Sequence, residues 1–116
     1  MSYEKLIIVG NLGETPELRT AKDGQPVTTL SVAVNKKRSG QQTTTWWRVT
    51  AWGTTAETAV KYLRKGSKVL IEGSGLRASA YIGKDDQPHG SLECTADRIV
   101  FLDSAPEGTE DESIST

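Results

Sequence analysis

Cysteine is nearly missing from this sequence. Cys94 is the single one in 116 residues, which excludes an internal disulfide and any metal site built from several thiolates. Histidine is equally scarce, and the one copy, His89, stands in a Pro-containing turn sequence with no candidate nucleophile around it, so a surface role is expected rather than catalysis. No apolar run is long enough to span a membrane, and the opening MSYEKLIIVGN lacks the apolar length of a signal peptide. A cytoplasmic, reducing compartment is the resulting expectation. The glycines of VGNLGE and EGSG match neither a phosphate loop nor a dinucleotide fingerprint. Adjacent Asp85 and Asp86 read as turn chemistry rather than as metal ligands. Clustered carboxylates beside a base are missing as well, so no enzyme constellation, no metal and no cofactor is implied.

What the chain does have is Val, Thr and Ile in short runs, with 11 glycines to turn them. Its length allows one domain with one core. The formal net charge of -1 conceals a division along the chain. All 14 Lys and Arg lie between Lys5 and Arg98, whereas Glu107, Glu110, Asp111 and Glu112 fall in residues 104–116. Residues 1–103 therefore hold 14 basic and 11 acidic side chains, a net +3, and are expected to form the folded domain. Residues 104–116, rich in Gly, Pro, Ser and acids, are expected to form a short disordered tail.

Alternation places the strands. Residues 5–12 (KLIIVGNL) put Leu6 and Ile8 on one face and Ile7 and Val9 on the other, so both faces need cover. Gly10 and Gly13 then permit a bulge or sharp bend. Residues 27–34 (VTTLSVAV) turn Leu30, Val32 and Val34 inward, and NKKRSGQQ reads as a basic loop after them. The strand TTTWWRVTAW follows at residues 43–52. One helix is expected over residues 55–65, with Thr54 and Glu57 at capping-box spacing and Gly66 where the helix stops. Residues 68–72, 76–82 and 91–102 read as further strands. Three strands, a helix and then the remaining strands is the order of an all-β, five-stranded oligonucleotide-binding barrel, a Greek key with one short helix.

All three tryptophans fall within the central strand. Trp46, Arg48, Thr50 and Trp52 share one face, and Trp47, Val49 and Ala51 share the other. Val49 and Ala51 suit an interior, whereas Arg48 would be an unpaired charge there, so Trp46 and Trp52 are expected on the wet face, about 20 Å apart. An exposed indole stacks on any base, because every base has a π-face. Core or subunit packing explains the same two residues equally well on these grounds alone. Trp47 and Leu70 are expected to point off the barrel interior, Trp47 serving in strand-end packing or a subunit contact. Arg77 and Tyr81 share a face in LRASAYI, and Lys36, Lys37 and Arg38 form a cationic cluster able to follow phosphates. Cys94 alternates with Leu92 and Ala96 and is expected to be buried.

The runs IVGNLGETPELR, WWRVTAWG and YLRKGSKVLIEG, with LR and an aromatic shortly after, resemble the bacterial and organellar single-stranded DNA-binding protein family. The resemblance covers residues 1 to about 103. It implies Trp46, Trp52 and Tyr81 as stacking platforms; Arg48, Arg77, Lys36, Lys37 and Arg38 are the phosphate contacts expected from their charge and placement. It also implies single-stranded DNA as partner, a homo-oligomer with a tetramer favoured over a dimer, and a place in replication, recombination and repair beside the nucleoid. The family's loop after the second strand is longer and bears an aromatic, which this one lacks. Its usual acidic ending closed by Pro-Phe is replaced by Ile-Ser-Thr, so docking of replication and repair proteins is not implied. A primosomal adaptor of the same fold, or an oligosaccharide- or protein-binding barrel, are the alternative readings.

Overall fold

Seven elements run through the computed structural model, which describes residues 2–102; the expected tail of residues 104–116 lies outside them. They are β1 (Leu6–Leu12), β2 (Arg19–Thr20), β3 (Pro26–Arg38), β4 (Gln41–Trp52), α1 (Gly53–Tyr62), β5 (Lys68–Ile82) and β6 (Pro88–Phe101). The strands form one sheet in the order β1-β5-β6-β4-β3-β2, and pairing of β1 with β3 closes five of them into a barrel. All pairs are antiparallel except β4 with β6. The expected five-stranded oligonucleotide-binding barrel with one helix is thus the observed fold.

Closure depends on Gly10. A side-chain carbon there would overlap the Ala33 carbonyl oxygen, so its absence lets β1 come close enough for Asn11 and Leu12 to pair with Ala33 and Val32 of β3. The inward residues are those that alternation selects. Leu30, Val32, Val49, Val69 and Ile71 are almost fully buried, each contributing about 1.5–3 kcal/mol by burial. Ala59 of α1 and Leu63 just after it join the same cluster, so the helix completes the core. Cys94 lies in it too, as expected, and burial first, then the nearby Asp97 charge, pushes its thiol above the usual range. Buried Thr28 is satisfied by donating its hydroxyl to the Glu17 carbonyl oxygen at 2.7 Å.

Four local expectations change. The basic loop is strand: Asn35–Arg38 pairs with Gln41–Thr44, and only Ser39 and Gly40 turn the hairpin. Their φ values of 51° and 80° are the two positive values of a type I′ turn, whose twist matches that of the flanking strands. The helix begins at Gly53 without a side-chain cap, because Gly53, at φ 61°, turns the chain straight out of β4; Thr54 and Glu57 form no capping box. It ends at Tyr62, where Leu63 becomes extended and buries its side chain, while Gly66 serves the following turn at φ 92°. Residues 68–82 are one strand bent at two register shifts near Gly73 and Gly75, not two.

Candidate nucleic-acid interface

One face of β4 carries two of the three indoles. Val49 and Ala51 are buried, so Trp46, Arg48, Thr50 and Trp52 point outward, and the two rings are 54% and 43% exposed. Trp47 does not point off the barrel interior as expected: alternation puts it on the side of Val49 and Ala51, where it packs half-buried against the core. Leu70, on β5, is half-buried on the outer face next to Val9.

The register arranges this face into rows. Ser31, Arg48, Glu93 and Arg77 are consecutive partners across β3, β4, β6 and β5. Thr29, Thr50 and Thr95 form the next row toward Trp52. In the other direction β4 reaches Trp46 opposite Ala33, and β5 reaches Ser79 and then Tyr81. Tyr81 and Trp46 therefore stand at one end, Trp52 at the other, and a charged row and a threonine row lie between.

A cleft of about 540 Å³ occupies the Tyr81 end, lined by Gly13, Glu14, Ser31, Trp46, Trp47 and Arg48 on one side and by Ser79, Tyr81 and residues 90–93 on the other. It gathers three of the expected site residues: Trp46, Arg48 and Tyr81. Trp52 lies on the same face beyond it. Arg77 flanks the cleft with its guanidinium already on Glu93, 3.3 Å away, so a phosphate must compete for it. Arg48 makes no hydrogen bond or ion pair with another described residue, which leaves it the free cation of the charged row.

The expected cationic cluster is divided by the pleat. Thr44 donates its hydroxyl to Asn35 Oδ1 at 2.6 Å, fixing those two on the Trp46 side of the ribbon, and Lys37 follows on that side opposite Gln42. Lys36 and Arg38 alternate to the opposite side, with Thr43 and Gln41.

Three features of the site escape a reading of the sequence. Gly13 lies in the bend expected there and is also a seat: a side-chain carbon on it would come within 2.6 Å of the Trp46 ring. His89 is a strand residue stacked on Tyr81, with ring centroids 5.4 Å apart. Asp85 accepts from His89 Nε2 at 3.0 Å, and that contact, followed by the Gln87 backbone N–H, holds its carboxyl below the usual range. Glu93 sits in the middle of the charged row, accepting from Arg77 and, at 3.2 Å, from the Ser91 hydroxyl. Its outward direction was implicit in the inward direction of Cys94, whereas the Gly13 contact joins residues too distant in sequence for any local pattern to show.

Comparisons with known proteins identify the family and the fold. The sequence profile of the Single-strand binding protein family matches residues 3–102. The chain is similar to the single-stranded DNA-binding protein of Xylella fastidiosa, with 39% identity over 109 residues, 90% of this chain and 66% of that protein. It is also similar to the Helicobacter hepaticus protein so named, with 38% identity over 113 residues, 93% of this chain and 66% of that one. The chain spans 60% to 66% of the length of these curated relatives. Among solved structures, a Plasmodium falciparum SSB complex with ssDNA matches with a TM-score of 0.72 at 27% identity, over 89% of this chain and 97% of that one. With a family profile covering nearly all of the described residues, the chain belongs to the single-strand binding protein family.

Proposed function

We propose that this chain is a non-enzymatic binder of unpaired DNA, holding it by base stacking on Trp46, Trp52 and Tyr81 and by phosphate contacts from Arg48, Lys37 and, once released from Glu93, Arg77. The observation that carries this reading is the pair of exposed indoles on one sheet face with an unpaired arginine between them. Soluble domains rarely leave such rings in water without a partner to cover them. Family membership, and the ssDNA held by the Plasmodium falciparum structure, support the choice of ligand. Lys36 and Arg38, on the far side of the ribbon, contribute to the general field.

The role that follows is protection of unpaired strands in replication, recombination and repair, in the compartment where the nucleoid lies. Stacking on bases requires their faces to be free, so duplex DNA should be a poor ligand. Phosphate contact makes binding weaken with salt, each neutralised phosphate contributing about 0.7 to the logarithmic slope for a single strand. Equilibrium titration of oligo-dT and of a duplex of equal length over a range of salt concentrations tests both features. Equal affinity for the two, or affinity independent of salt, would refute the reading.

A further inference from the structure

A carboxylate in the centre of a trough meant for phosphates calls for an explanation. Glu93 stands between Arg48 and Arg77 in the charged row, lines the cleft with Trp46 and Tyr81, and keeps its side chain 29% exposed. Its two contacts, from Arg77 at 3.3 Å and Ser91 at 3.2 Å, are long and use one lone pair on each oxygen. An ionised carboxylate offers about four acceptor sites, so two remain for a ligand. Glu14 also lines the cleft and takes a 3.5 Å contact from Ser31, so the cleft's floor is weighted toward acceptors.

That floor repels phosphate and invites donors. A strand stacked on Trp46 therefore keeps its backbone toward Arg48 and Lys37 and turns a base edge toward Glu93. We infer that Glu93 reads this edge: its carboxylate accepts from the exocyclic amine of a base, favouring cytosine over a base that presents carbonyl oxygens at the same position. Cytosine offers N4–H2 there, the donor that acidic side chains accept from in base recognition, whereas uracil and thymine offer O4, which a carboxylate repels. Stacking still supplies most of the affinity, so the result is a modest base preference laid over a sequence-tolerant groove. The inference rests on the proposed path of unpaired DNA through this cleft.

Short oligo-dC and oligo-dU isolate the effect, since both are pyrimidines without a 5-methyl group and differ at the edge concerned. At pH 8 and fixed salt, the wild-type protein should bind oligo-dC about tenfold more tightly, the worth of one charge-assisted hydrogen bond at its lower end. Glu93→Gln, whose amide both donates and accepts, should abolish the preference while raising affinity for both oligonucleotides by freeing Arg77. Arg77→Gln should weaken binding to both and keep the preference. Equal wild-type affinities, a preference that survives Glu93→Gln, or one lost equally in Arg77→Gln would each overturn the inference and leave the groove as a stacking surface. Failure of the wild-type protein to bind either oligonucleotide would overturn the proposed function, and the inference with it.

Discussion

Trp46 and Trp52 have the same side chain and face but different neighbours, and their contributions can be separated. Trp46 rests on Gly13 inside the cleft, whereas Trp52 ends β4 opposite Val27, outside the cleft. Replacing either with alanine should cost about 1–3 kcal/mol in oligo-dT binding, the worth of one stacked base, with a smaller loss of stability than a core tryptophan would give because each is about half exposed. Isothermal titration with a thermal melt of each variant checks both halves of that expectation. At Cys94 the expectation concerns protection. The buried thiol should resist a disulfide-exchange reagent in the native state at pH 8 and react fully in denaturant. Its thiol is raised in the fold, so above the ordinary thiol range the unfolded chain loses its proton first, and stability should decline as pH rises through that window. Residue directions on β4 were legible because Arg48 and Val49 cannot exchange faces at acceptable cost. The seat at Gly13 and the Tyr81–His89 stack were not, since both depend on elements brought together only by the barrel.

The β3–β4 ribbon shows how an element alters what its residues can do. A flexible loop would let Lys36, Lys37 and Arg38 act as one cluster, but a paired ribbon separates them by face. Lys37→Gln should therefore lower oligo-dT affinity and reduce the logarithmic salt slope by about 0.7, the share of one single-strand phosphate. Lys36→Gln should leave the slope nearly unchanged, and titration of both variants against salt compares them directly. The sequence suggested a loop here because polar residues on both faces erase the period-2 signal that marks a half-buried strand. At α1 the spacing of Thr54 and Glu57 imitated a cap, yet the conformation of Gly53 decided where the helix begins. The glycines of EGSG looked like a break between two strands, and the continuity of β5 was not legible, because backbone pairing passes through Gly73 and Ser74 regardless of side chain.

On the scale of the whole molecule, the groove and the outer face of β1 are separate surfaces. Ile7 and Val9, 62% and 42% exposed, lie on the outer face beside half-buried Leu70 and Val100, and none of the four lines the cleft. We propose that a second copy covers this strip, leaving each groove open for a strand that passes from one barrel to the next. Sedimentation should show an oligomer at micromolar concentration, and Ile7→Glu with Val9→Glu should shift it toward monomer; a monomeric wild-type chain would contradict the proposal. Barrel class and helix number were legible from element order, whereas closure through Gly10 and the rows across four strands required the register itself.

Everything in the functional account depends on bases stacking on the outward indoles. The most direct measurement is tryptophan emission during titration with oligo-dT at low salt, in the wild type and in a Trp46→Phe, Trp52→Phe double variant. Strong quenching in the wild type that largely disappears in the double variant, where Trp47 alone remains, is the predicted result. Unchanged emission in the wild type at saturation, or equal quenching in the two proteins, would contradict it.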